Sequence, residues 1–147
     1  MLPFFSAKII EFLVEFSFNK NAICVLKSIL KALKNHNSQE KNAEFLKKII
    51  LCISMNTEEI INNEYGNYLI QEAYELFGSS FLKGINETII RLFPSLGCEK
   101  YSASVIQNCI KKYWLYDQCI YQDLKASLHQ KKILALYRNP YGNRVLL

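Results

Sequence analysis

The feature that most constrains this chain is a short segment that returns four times. Lys20-Asn21-Ala22-Ile23-Cys24-Val25-Leu26-Lys27, Glu64-Tyr65-Gly66-Asn67-Tyr68-Leu69-Ile70-Gln71, Lys100-Tyr101-Ser102-Ala103-Ser104-Val105-Ile106-Gln107 and Pro140-Tyr141-Gly142-Asn143-Arg144-Val145-Leu146-Leu147 align on one pattern. Each places a small residue before a pair that is polar or small in most copies, then two aliphatics. Measured between Ile23, Asn67, Ala103 and Asn143, the spacings are 44, 36 and 40 residues. Periods of this size belong to stacked supersecondary units whose apolar faces are buried only against their neighbours. The longest spacing holds the polar run from Asn35 to Lys41, read as an exposed loop that lengthens its repeat.

The sequence between the signatures is helical in period. Phe45, Leu46, Ile49, Ile50 and Ile53 form one apolar stripe, and Phe81, Leu82, Ile85, Ile89 and Phe93 another, with Pro94 read as the stop signal of the second helix. NTEEIINN is read as a short connection into its signature, with Glu58 and Glu59 at a helix start where they favour the positive end of the dipole. No strand-like alternation of useful length occurs. Half of the 147 residues are hydrophobic and only five are glycine and three proline, which excludes disordered and turn-dense architectures.

The segment EYGNYLIQ, with NPYGNRVLL near the end, closely resembles the repeat signature of the Pumilio/PUF family of RNA-binding proteins. The resemblance covers essentially the whole chain. It implies an all-α fold, an α-α superhelix in which PUF or armadillo-like three-helix repeats form a right-handed solenoid. It implies one repeat domain over residues 1–147, with signatures near 20–27, 64–71, 100–107 and 140–147, and with concave-face helices starting near Ala22, Gly66, Ser102 and Gly142. Since PUF proteins commonly carry about twice as many repeats, the chain is expected to be part of a longer array.

Residues i and i+4 of a helix share a face, so Asn67 and Gln71 should lie one turn apart beside Tyr68. Two amides and a ring are a chemically apt set for one base, the amides for its edge and the ring for its face. In the family this combination selects uracil. The same resemblance assigns Gln107 and Asn143 as edge readers and Arg144 as a stacking guanidinium. Ala103 cannot hydrogen-bond through its side chain, and Leu147 stands where the fourth repeat needs a second reader. In the first repeat Ile23, Cys24 and Lys27 make a poor reader. Lys27, with Lys31 and Lys34 on the same helical face, and Lys111 are instead candidates for phosphate contacts.

The implied partner is single-stranded RNA, with messenger RNA untranslated regions and repression or decay proteins as the family setting and the cytoplasm as the expected location. A nucleolar, pre-ribosomal RNA-binding relative with little sequence preference is one alternative, and a protein-interaction scaffold that kept the fold without the RNA code is another. Charge is consistent with a polyanion partner. Residues 1–75 carry 8 Lys/Arg and 9 Asp/Glu, whereas residues 76–147 carry 10 and 4.

Other features receive plainer readings. Tyr65, Tyr101 and Tyr141 are expected to pack at helix entries, Gly66 and Gly142 to serve tight turns or close packing, and Trp114 with Tyr113, Tyr116 and Tyr121 to fill the core or repeat interfaces. Asn86-Glu87-Thr88 matches a glycosylation acceptor by chance inside a buried-faced helix. The five cysteines, with no C-x-x-C pair, are read as reduced, intracellular and mostly core, and His36 and His129 as without a role. No catalytic motif is present, so neither an enzyme nor a metal or other cofactor is expected, and no small-molecule substrate. The apolar start MLPFFSAKIIEFLVEF is interrupted by Lys8, Glu11 and Glu15 and reads neither as a targeting segment nor as a membrane span.

Overall fold

The structure, a computed structural model, describes residues 2–36 and 38–146, with side chains from residue 5 onward. It holds ten α-helices and no strand among those residues. They are α1 (Leu2–Ser17), α2 (Ala22–Asn35), α3 (Glu40–Met55), α4 (Thr57–Asn62), α5 (Asn67–Phe81), α6 (Lys83–Leu96), α7 (Lys100–Lys112), α8 (Gln118–Ser127), α9 (Gln130–Arg138) and α10 (Gly142–Val145), with a short 3-10 turn at Trp114–Tyr116. The fold is an all-α helical repeat solenoid.

Two rows of helices build it. The four signature helices follow one another, α2 against α5, α5 against α7 and α7 against α10. Behind them α1 packs on α3, α3 on α6, and α6 on α8 and α9, while the short α4 is wedged among α5, α6 and α7. The core lies between the rows. Each signature helix gives it a stripe at three- and four-residue steps, such as Ile23, Leu26, Leu30 and Leu33 from α2, and Leu69, Ile70, Ala73 and Tyr74 from α5. In the back row Leu46, Ile49, Ile50 and Ile53 of α3 and Ile85, Ile89, Ile90, Phe93 and Leu96 of α6 face inward.

Repeat length follows from helix count. Two helices, α3 and α4, precede the second signature helix, and two, α8 and α9, precede the fourth, whereas α6 alone precedes the third. That is the interval of 36 residues. The loop inside the longest interval runs only from 36 to 39, with Asn37 outside the described residues.

Four details of the sequence reading change. NTEEIINN is mostly helix, since α4 occupies Thr57–Asn62 with Glu58 and Glu59 in its first turn. Pro94 does not follow the helix as a stop signal but sits inside the last turn of α6, which runs on to Leu96. Phe81 is 44% exposed, because α5 breaks at Gly78 and carries it out of the register of α6. Gly78 has φ 72° and ψ 175°, a region open essentially to glycine alone. Among the cysteines Cys109 is buried and Cys52 and Cys98 are half-buried against the core, whereas Cys24 and Cys119 are exposed, so the core reading does not extend to those two.

A buried polar node ties the third repeat to the second. Asn86, 3% exposed, accepts from the Tyr74 hydroxyl and, at 3.2 Å, from Trp114 Nε1, and its Nδ2 donates to the Ser79 carbonyl at 2.7 Å. Every polar atom brought in by Tyr74 and Trp114 is thereby satisfied. Trp114 fills the interface as expected, and Tyr113 stacks on Tyr74 at 5.5 Å, but Tyr116 is 83% exposed and Tyr121 also faces outward. Those two rings belong to no core.

Candidate nucleic-acid interface

The site begins at the joints that launch the signature helices. In each, the chain turns so that a backbone N–H donates to the carbonyl three residues earlier, Asn19 to Phe16, Asn63 to Ile60, Glu99 to Leu96 and Asn139 to Leu136. In three joints the next bonds come from an asparagine side chain. Asn19 Oδ1 accepts from the Asn21 and Ala22 N–H groups, Asn63 Oδ1 from Tyr65 and Gly66, and Asn139 Oδ1 from Tyr141 and Gly142, all at 2.8 to 3.1 Å. These bonds hold N–H groups that a helix start leaves without partners.

The small residue of the signature has a steric cause. A Cβ on Gly66 would lie 2.5 Å from the Ile60 carbonyl oxygen, and one on Gly142 would lie 2.6 Å from that of Leu136. The third joint uses Ser102, fully buried, whose hydroxyl donates to the corresponding Leu96 carbonyl. Asn19, Asn63 and Asn139 were missed in the sequence reading. Their signal was available, since each stands four residues before a first reading position, but the aligned window stopped short of it.

From these joints the signature residues take consistent places. The first position is buried in three repeats, as Ile23, Asn67 and Ala103, and exposed only as Asn143. The second is exposed in all four, as Cys24, Tyr68, Ser104 and Arg144, with Tyr68 at 51%. The residue one turn after the first is half-exposed, as Lys27, Gln71 and Gln107, while Leu147 lies outside the described residues. The face therefore displays mainly the second position and the turn that follows.

Asn67 and Gln71 do lie one turn apart, and they bond to each other. Asn67 Nδ2 donates to the Asn63 and Glu64 carbonyls at 2.9 Å each, and Asn67 Oδ1 accepts from Gln71 Nε2 at 3.0 Å. Both Asn67 donors are thus spent on the joint. Gln71 keeps one N–H, and its Oε1 accepts from Asn108 Nδ2 of the next signature helix at 3.4 Å with a lone pair to spare. Gln107 behaves differently, with its Nε2 donating to the Arg144 carbonyl at 2.5 Å.

Asn108 reveals a rule of register. It stands five residues after Ala103, and it reaches back to the reader of the preceding helix. Glu72 stands five residues after Asn67 and reaches back in the same way, with Oε2 2.9 Å from Lys27 Nζ and Oε1 3.3 Å from Lys31 Nζ. Two of the candidate phosphate lysines of α2, Lys27 and Lys31, are thus paired with one carboxylate. Further along, Lys34 lies over the Phe77 ring at 5.4 Å and Lys112 pairs with Glu75, so Lys112 holds the Glu75 carboxyl below its usual range. Lys111 is exposed at the end of α7. Tyr65 and Tyr141 pack half-buried against the core, and Tyr101 is half-buried with Lys100 Nζ 5.0 Å from its ring.

Among the described residues no group of histidine, cysteine or carboxylate side chains could hold a metal ion, and no helix is long and apolar enough to cross a membrane. What the arrangement offers is a row of exposed ring, guanidinium and amide groups across the starts of stacked helices in a repeat solenoid. Compared with solved structures, the chain is similar to a doubly substituted Puf4 bound to the Cox17 RNA 3′ UTR recognition sequence, with a TM-score of 0.74 and 18% identity over 96% of this chain and 43% of that one. It is also similar to PUF-8 in complex with PBE-RNA, with a TM-score of 0.63 and 15% identity over 95% of this chain and 50% of that one. The fold is that of the PUF repeat proteins, and the chain spans half or less of the length of these two. No protein-family sequence profile matches it, and no curated protein does.

Proposed function

We propose that the protein binds single-stranded RNA along the signature-helix face and is not an enzyme. The observation that carries this reading is the row of second-position side chains on stacked signature helices, with Tyr68 of α5 and Arg144 of α10 exposed on either side of Ser104 of α7, in a fold that elsewhere holds RNA. An exposed tyrosine ring supplies stacking worth roughly 1–3 kcal/mol per base, and a guanidinium plane stacks as well. Base selection concentrates at α5. There Gln71, clasped between Asn67 and Asn108, presents one donor and one acceptor side by side, a match for the N3–H and a neighbouring carbonyl of uracil. Asn67 acts by fixing that amide. Asn143 is the second exposed edge group, whereas Gln107 contributes less because its amide already serves Arg144. Lys111 and the basic second half supply phosphate attraction. In the cell this activity fits recognition of messenger RNA untranslated regions in cytoplasmic post-transcriptional control.

The test is anisotropy titration of short labelled RNAs, with and without uracils, against wild type, Tyr68→Ala and Gln71→Ala. Tyr68→Ala should weaken every RNA, while Gln71→Ala should erase the uracil preference by on the order of 1–3 kcal/mol. Unchanged affinity and preference in both variants would overturn the reading. An affinity that does not fall with salt would point to a protein-interaction scaffold instead.

A further inference from the structure

We infer that Glu72 is an electrostatic gate that closes α2 to the RNA backbone, so that a bound strand is engaged from α5 onward. The inference rests on the RNA-binding reading above and adds where on the face the strand is held. Its basis is the register rule, by which the residue five places after the first signature position reaches back to the preceding helix. At the α5–α7 junction that residue is neutral Asn108, which leaves Gln71 able to pair. At the α2–α5 junction it is a carboxylate.

Glu72 is well placed for this. Its side chain is only 13% exposed, and its two oxygens divide between Lys27 and Lys31 at 2.9 and 3.3 Å. Two lysines and one carboxylate leave a single net charge where sequence alone shows two. A phosphate approaching Lys27 meets the carboxylate that already occupies it, so phosphate binding there must first displace Glu72 and then sit beside it. Like-charge repulsion at this range is screened little when one partner is mostly covered. The remaining positions of α2 add no attraction for a base, since Ile23 is buried and Cys24 stands where α5 carries Tyr68. Lys34 is committed over the Phe77 ring. The first signature helix thus keeps the shape of a reading helix while Glu72 offsets part of the charge of Lys27 and Lys31.

Removing the carboxylate should open the helix. The experiment titrates labelled oligouridylate against wild type, Glu72→Gln, Glu72→Gln with Lys27→Met and Lys31→Met, and a control, Glu58→Gln, which makes the same change in net charge at an exposed position on α4. Two freed lysines should steepen the dependence of log affinity on log salt by about 1.4, so the ratio of affinities at 50 and 200 mM salt should grow about sevenfold in Glu72→Gln. The added methionines should return the slope to the wild-type value. A slope in Glu72→Gln no steeper than in Glu58→Gln, with RNA still bound and melting temperatures alike, overturns the gate. If no variant binds RNA, the RNA reading itself fails. Heparin retention then decides the gate separately: Glu72→Gln eluting no later than Glu58→Gln overturns it as well, and later elution upholds it for polyanions in general.

Discussion

The α2–α5 and α5–α7 junctions bring equivalent helices together by different chemistry. The first is ionic at its face, with Lys27 and Lys31 on Glu72 and Lys34 over Phe77. The second is built mainly from amides and rings, with Gln71 clasped by Asn108, Tyr113 stacked on Tyr74 and the Asn86 node beneath, and an ion pair, Lys112 with Glu75, stands at the far end of the helices. The backbone arrangement fixes which positions meet across a junction, and the side chains at those positions decide whether the surface is left open to a ligand. Charges that cancel each other give shape without affinity, whereas neutral amides can brace one another and still offer a donor and an acceptor outward.

The contrast can be broken most forcefully from below the second junction. Asn86→Ala should cost about 3 kcal/mol in urea denaturation, because it strands the buried Tyr74 hydroxyl and Trp114 N–H without an acceptor. Next comes alkali. Burial, with the Glu75 carboxylate as a lesser cause, pushes the Tyr113 phenol up to about 12, and burial raises Tyr74 well above its ordinary value. The native state therefore holds these protons more tightly than the unfolded chain, whose tyrosines titrate near about 10. Their contribution is complete below that pH and is lost as pH rises through the folded values. Melting temperature should fall steeply in this range, and Tyr113→Phe should blunt the fall.

Smaller effects separate the clasps themselves. Asn108→Ala should destabilise by about 1 kcal/mol or less, since it removes one half-buried hydrogen bond. Glu72→Gln should cost no more than about 1 kcal/mol, because Lys31 is 57% exposed and its pair is worth little, and the glutamine oxygen can still accept from Lys27. A larger loss in thermal denaturation would mean that the ionic junction carries structure as well as charge.

The repeat architecture was legible because each joint is written in consecutive residues. The small residue at Gly66 and Gly142 reflects a carbonyl only six positions back, so the constraint recurs wherever the joint does. The stripes of α3 and α6 were readable for the same reason, apart from Phe81. What the sequence hid lies across the repeats. Glu72 meets Lys27, and Asn108 lies 37 residues from Gln71, only once the helices have stacked in a definite register. Asn67 illustrates the limit at a single residue. Its place on the helix followed from spacing, but the inward turn of its amide depends on the Asn63 and Glu64 carbonyls, which only the folded joint brings within its reach. Pro94 and Phe81 misled for a related reason, since helix ends here are set by packing and by the break at Gly78 and not by the nearest stop signal.

The asparagine joints have a consequence for how such a surface can change over time. Asn19, Asn63 and Asn139 set the pitch of the array with bonds to residues two and three positions ahead, none of which is a displayed side chain. Pitch and display are therefore separately inherited. New side chains can be tried at Tyr68, Gln71 or Arg144 while the spacing between neighbouring sites stays as it was, which makes the face a keyboard whose keys can be exchanged without moving the frame.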